Sequence, residues 1–350
     1  MSLTQNTPSP QDSRPLLSLP SPSLFFETVN AYQRTAALKA AIELDLFSAL
    51  SSGARTPSAL ASLCNGSERG LRILCDFLTV LGFFEKEKEA YRLSRDSKMF
   101  LDPASPGYVG DAIQFLLNPV IQAGFEDVAA AVRAGGTVDA QAGIVAPEHE
   151  VWSAFARSMM GSMKVLSRMV MTVLPLDREA SLKVLDVAAG HGMFGIAVGQ
   201  YCPKASIVAL DWETVLEVAR ENATDAGLGD RYSTIAGDAL EAPFGDEYDV
   251  VLLANIMHLF DRETCLTLLR KAHASLSEGG QAVLIDFIPN EDRISPPTAA
   301  SFSLMMLTST SAGDAYTFAE LESMFLEAGF TEVSLHSLSP ADHSAVIAVK

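Results

Sequence analysis

Residues 184–195 read VLDVAAGHGMFG, and the fold turns on how this stretch is built. Val184, Leu185 and Val187 make a short apolar run of the kind found in a strand buried on both faces. Asp186 interrupts that run, and Gly190 and Gly192 then form a tight turn into a helical segment expected over 194–201. Glycine lets the backbone approach a ligand that any Cβ would hold away. Taken alone, Gly190-His191-Gly192-Met193-Phe194-Gly195 also satisfies GxGxxG, so an NAD(P) oxidoreductase is the competing class.

Features on either side of the turn separate the two classes. Asp186 stands four residues before Gly190, where a dinucleotide site usually has an apolar strand residue. A second strand, expected over 206–210 (SIVAL), leads into Asp211, whose carboxylate can accept from both hydroxyls of a ribose; NAD enzymes share that feature. After a third strand (232–236), Gly237-Asp238-Ala239 offers a carboxylate to an adenine amine. Further strands are expected over 248–253 and 281–287, with helices over 214–226 and 262–276 between them. This alternation predicts a parallel sheet covered on both faces. The segments 332–337 and 344–349 are joined by too short a loop for a crossover, so they predict an antiparallel pair, uncommon in NAD-binding domains.

The N-terminal third has a different texture. Residues 1–23 are rich in Pro, Ser and Gln, with neither a basic start nor an apolar core, and read as a mobile tail and not a signal peptide. Over 24–102 the order is short helices, a turn at Asn65-Gly66, a helix capped by Ser67, and two short strands around a charged turn. That is the winged-helix arrangement. Residues 20–100 carry ten Lys and Arg against nine Asp and Glu, so charge alone does not exclude DNA binding. The would-be recognition helix holds Leu71, Ile73, Leu74, Phe77, Leu78, Val80 and Leu81 on more than one face, which predicts burial and self-association. Residues 103–180 read as a helical connector ending in one long Met-rich helix over 148–174. Trp152, Phe155, Met159, Met160 and Met163 on it suit core packing or a pocket wall.

Composition narrows the function further. The formal charge of −18 opposes polyanionic partners, so neither nucleic acid nor an anionic membrane is expected. Cys64, Cys75, Cys202 and Cys265 are scattered, with no CxxC pair and no neighbouring His cluster, which predicts no metal and a reducing, cytoplasmic setting. No apolar run approaches the roughly 20 residues of a membrane span.

With Asp186, Gly190-His191-Gly192, Asp211 and Asp238 in this order and spacing, the chain resembles the class I S-adenosylmethionine-dependent methyltransferases. Together with the winged-helix region and the Met-rich segment, it is similar to the small-molecule O-methyltransferases of bacterial and plant secondary metabolism, over about residues 24–350. The resemblance implies a Rossmann-like domain at 181–350, a dimerisation domain at 24–102 and a homodimer. S-Adenosylmethionine would be held by Asp186, Gly190, Gly192, Asp211, Trp212, Asp238, Ala239 and Asn255. It places the general base at His258 and a supporting carboxylate at Asp286. The chain departs from the family pattern at Ala188, at Leu259 and Phe260, and at Ala315, where a second supporting Glu is expected. The acceptor implied is a phenol or enol against an apolar wall (Trp152, Phe155, Met159, Met163, Met305, Met306), with carbon or nitrogen methylation as alternatives on the same fold. An NAD(P) oxidoreductase and a ligand-sensing winged-helix regulator are the readings from other classes.

Overall fold

The computed structural model describes residues 20–138, 143–145, 148 and 150–350. The expected tail lies, through residue 19, outside the described residues. The chain divides into two compact units, the first ending at Ser97 and the second running from Lys98 to Lys350.

Among the described residues of the first unit, five helices precede a hairpin of β1 (Phe84–Glu87) and β2 (Ala90–Leu93). Thr56 and Ser67 start the helices Pro57–Leu63 and Glu68–Val80 by accepting from the backbone N–H groups of Ala59 and Gly70. Asp76 joins the second of these helices to the hairpin, accepting from Lys86 Nζ and from Tyr91 Oη, each at 2.6 Å. The Glu68–Val80 helix buries one face, through Leu71, Cys75 and Leu78. Ile73 and Val80 of the same helix are exposed on the single chain, which leaves apolar surface for the self-association expected of this region. On the first two helices (Ser23–Val29 and Ala31–Glu43), Leu24, Phe25, Phe26, Val29 and Tyr32 are exposed as well.

The second unit carries a seven-stranded sheet: β3 (Lys183–Val187), β4 (Ser206–Asp211), β5 (Tyr232–Ala236), β6 (Tyr248–Ala254), β7 (Leu276–Asp286), β8 (Glu332–Ser337) and β9 (Ser344–Val349). Their spatial order is β5-β4-β3-β6-β7-β9-β8. The first five run parallel and the last two are antiparallel, as the short loop between them requires. Branched and apolar residues of β3, β6 and β7 point to both faces, and each face has its own core. Leu185, Val251, Leu253 and Leu284 pack with Leu266, Leu269 and Phe325 on one side; Val184, Leu252, Val283 and Ile285 pack with Leu166, Val170 and Val198 on the other. The chain reverses at β3, leaving a crevice at the carboxyl ends of β3, β4 and β6, the place where open α/β sheets bind ligands.

The long helix expected over 148–174 is two helices, Val151–Ser158 and Met160–Val170, meeting at Met159. The break turns Trp152 and Phe155 towards the crevice while Leu166 and Val170 stay in the sheet core. Among the described residues no helix is long and apolar enough to cross a membrane.

Candidate active site

The crevice begins at the turn after β3. Ala188 (φ 52°), Gly190 (φ 58°) and Gly192 (φ 74°) all adopt left-handed backbone, and Gly192 caps the helix Met193–Tyr201. Ala188 holds this conformation despite its Cβ, at a cost of about 1 kcal/mol that a glycine would avoid. Asp186 is fully buried, and its Oδ2 accepts from the backbone N–H of Gly195 at 2.9 Å. Burial pushes its carboxyl up to about 7. Gly195 is required here, since a Cβ would sit 2.8 Å from Ile207 Cγ2 and 2.9 Å from Asp186 Oδ2.

Asp211, at the end of β4, draws the turn across to itself. Its Oδ2 accepts from Gly190 N–H at 2.8 Å and its Oδ1 from Trp212 N–H at 2.7 Å. Each oxygen keeps a further lone pair, and burial raises the carboxyl to about 6. Beyond β5, Asp238 Oδ1 accepts from Leu240 N–H at 2.8 Å. This loop is pinned from below by Lys271, whose ammonium donates to the carbonyls of Ala239, Leu240 and Ala242 at 2.7–2.9 Å. Lys271 is a residue that sequence reasoning missed: a lone lysine on the helix Arg262–Ser275 carries no motif.

These parts line an open cavity. Gly190, Asp211, Trp212, Asp238, Ala239 and Asn255 line it, as expected. Asp186 and Gly192 do not. They lie beneath the turn, where Asp186 holds the helix start and Gly192 fits against Tyr232 and Ala219, so both shape the cavity without reaching it. Leu240, Ile256 and Phe260 supply apolar wall.

A second cavity adjoins the first, and Trp152, Phe155, Asn255 and Leu259 belong to both walls. All six residues expected as apolar wall line it. Trp152 is held by an Nε1–H bond to the Ile144 carbonyl at 3.0 Å. Phe115, Phe287 and Phe302 were not foreseen; the nearest signal is Phe302, three and four residues before Met305 and Met306 on the helix Pro297–Ser309. The polar lining comes from Asn255, His258 and His343.

His258 stands in the short turn after β6, buried, with Nδ1 2.6 Å from Asp286 Oδ1. Nδ1–H donates to that carboxylate, which also accepts from the backbone N–H of Phe287 at 2.8 Å. The proton is thereby kept on Nδ1 and the Nε2 lone pair is left free, with no protein partner among the described residues. Phe302 packs edge-on to the imidazole at 4.8 Å between centroids. Ala315 is fully buried, and its half-buried neighbour Asp314 pairs with Arg293 at 3.1 Å, so the carboxylate bonded to His258 is that of Asp286.

A parallel α/β sheet with an antiparallel edge, a glycine turn, acidic strand ends and a buried His–Asp pair defines a methyltransferase of the Rossmann-like class. Comparison with known proteins gives the family. Residues 125–331 match the O-methyltransferase domain and residues 26–103 the O-methyltransferase dimerisation domain. The chain belongs to this family and is an S-adenosylmethionine-dependent O-methyltransferase. It is 27% identical to a 3-hydroxy-5-methyl-1-naphthoate 3-O-methyltransferase of Streptomyces sahachiroi, over 94% of this chain and 95% of that one. It is 28% identical to a tetracenomycin polyketide synthesis 8-O-methyl transferase of Streptomyces glaucescens, over 93% and 96%. Among solved structures, a Nostoc punctiforme protein described as a candidate O-methyltransferase is 52% identical, with a TM-score of 0.91 over 95% of this chain and all of the other.

The first cavity fits S-adenosylmethionine. Its acidic acceptors match ribose hydroxyls and an adenine amine, and its apolar wall matches the faces of the base. When bound, the cofactor supplies an activated methyl carbon.

Proposed function

We propose that the enzyme methylates a phenol or enol oxygen of a flat, apolar small molecule of secondary metabolism, with His258 as general base and Asp286 as its orienting carboxylate. The observation that carries this is the His258–Asp286 pair on the wall of an apolar, aromatic-lined cavity adjoining the cofactor cavity. The Asp211 carboxylate binds the ribose hydroxyls and Asp238 the adenine amine. Gly190, Trp212, Ala239 and Asn255 complete the contacts, while Asp186 and Gly192 hold the turn.

The chain's own work is to place the acceptor hydroxyl, exclude water and take its proton at His258 Nε2. Magnitudes select the acceptor. A phenol near pKa ~10 lies about 3.5 units above a free imidazole, roughly 5 kcal/mol uphill. A simple alcohol, as weakly acidic as water, is uphill by about 13 kcal/mol. The relatives that act on a hydroxynaphthoate and in tetracenomycin polyketide synthesis support the aromatic choice.

In this reading residues 24–102 are a dimerisation domain, 103–180 a connector that contributes pocket wall, and 181–350 the cofactor-binding domain of a homodimer. The exposed apolar side chains of the first two helices support the dimer. Four free cysteines support action in the cytoplasm. The test is His258→Gln, assayed with phenols of one to three fused rings. Turnover should fall by about 10²–10⁴-fold with S-adenosylhomocysteine affinity kept, and Asp286→Asn should cost less. Retention of most activity at neutral pH would remove the base from the mechanism.

A further inference from the structure

The antiparallel edge of the sheet brings a side chain from near the end of the chain into the active site. Asp286 of β7 pairs with Ser344 of β9, so His343 falls just beyond that pair, beside Phe287. The two rings lie 4.0 Å apart between centroids. His343 is buried, lines the second cavity, and sets Nε2 3.0 Å from Asn255 Oδ1. Nothing in the sequence pattern or the family resemblance marks it.

Asn255 occupies the seam of the site. It follows β6 with left-handed backbone (φ 54°), its N–H donates to the Ile285 carbonyl at 2.8 Å, and its side chain lines both cavities. A carboxamide can turn over and exchange its oxygen for its NH2 at little local cost. On the seam that exchange decides whether an incoming acceptor oxygen meets a donor or a second lone pair. Met163 Sδ, 3.8 Å from Asn255 Nδ2, is too poor an acceptor to settle the choice.

We propose that His343 is a positioning residue for methyl transfer, its Nε2–H claiming the Asn255 oxygen and turning the Asn255 NH2 towards the wall shared by the two cavities. The proposal rests on the reading of those cavities as cofactor and acceptor sites. Burial supports it by driving the His343 imidazole down to about 4, against the opposing effect of Asp286 and Asp342 and with the help of His258. The ring is then neutral at working pH and has one N–H, which it gives to Asn255.

The test uses the full-length protein in two measurements. Long-range nitrogen–proton spectra of histidine-labelled protein should show His343 as the neutral Nε2–H tautomer from about pH 8 to about pH 5, with Asn255→Ala disturbing that signal. This readout needs no acceptor, so it stands apart from the failure of any proposed substrate. With a phenol the enzyme turns over, His343→Phe should lower kcat on the order of 10- to 100-fold, with little change in KM for S-adenosylmethionine or in melting temperature. His343→Gln, which keeps an N–H, should restore most of the rate. The double variant His343→Phe with Asn255→Ala should be no slower than Asn255→Ala alone, because both remove one interaction. A charged or Nδ1–H imidazole at neutral pH, or independent multiplicative losses in the double variant, would overturn the proposal.

Discussion

Asp211 ties the glycine turn to the wall of the proposed cofactor cavity. Its two oxygens already hold Gly190 and Trp212, which fixes the carboxylate plane against the turn, and burial lifts its carboxyl to about 6. In the proposed site the ionised form would accept from ribose hydroxyls, whereas protonation spends one oxygen as a donor. Affinity for S-adenosylhomocysteine should therefore be level above about pH 7 and fall as the pH drops through 6, approaching tenfold per pH unit well below it. Asp211→Asn should weaken binding at pH 8 by about 1.5–3 kcal/mol, the worth of a hydrogen bond to a charged group, and flatten the dependence near pH 6. Calorimetry at a series of pH values checks both; a flat profile in the unaltered protein would remove Asp211 from the ribose site. At this scale the sequence singled out residues that the fold brings to the two cavities, as at Asp211, Asp238, Gly190 and His258. Asp186 and Gly192, expected to hold the cofactor, lie under the turn and not on the cavity wall, because spacing along a turn does not say which side of it faces a cavity.

Among the elements, the helix Met193–Tyr201 bears most directly on the site, because the glycine turn has its shape only while this helix lies close against β3 and β4. Seven of its nine residues are buried, so hydrophobic periodicity gives little guide to its orientation. Close approach at Gly195 sets it instead. Gly195→Ala would force a methyl against Ile207 and Asp186, and overpacking of this kind costs about 1–3 kcal/mol. A lower melting temperature together with weaker S-adenosylhomocysteine binding is expected, since the same shift would loosen the Asp186–Gly195 hydrogen bond. Differential scanning calorimetry with and without ligand measures both, and unchanged values would mean that the helix moves aside freely. The strands could be read closely from sequence, because β4 and β6 are short apolar runs that stop at Asp211 and before Asn255, and β3 is one interrupted only by Asp186. The break at Met159 could not, since methionine is a good helix former and nothing local announces a stop.

For the whole molecule, the exposed side chains of the first two helices set the expectation. Leu24, Phe25, Phe26, Val29 and Tyr32 are each more than half exposed on the isolated chain, a concentration of apolar surface that marks an interface. Light scattering of the purified protein should give twice the chain mass, and Phe25→Glu with Phe26→Glu should shift it towards monomer or aggregate. A well-behaved monomer of the unaltered protein would defeat the homodimer.

By itself the sequence determined the α/β class, the strand order along the chain, the antiparallel end and the residues that chemistry singles out. Each is set by local pattern: apolar runs for strands, glycine for left-handed turns, a loop too short for a crossover. Only the tertiary structure decided which of those residues line a cavity. It also decided that Lys271 pins the loop after β5 from a distant helix and that β9 carries His343 to the side of Phe287 and Asn255. Those contacts join residues 29 to 88 positions apart in the chain, Ala242 to Lys271 at one extreme and Asn255 to His343 at the other. Sheet register and packing create them, and one-dimensional spacing holds no record of either.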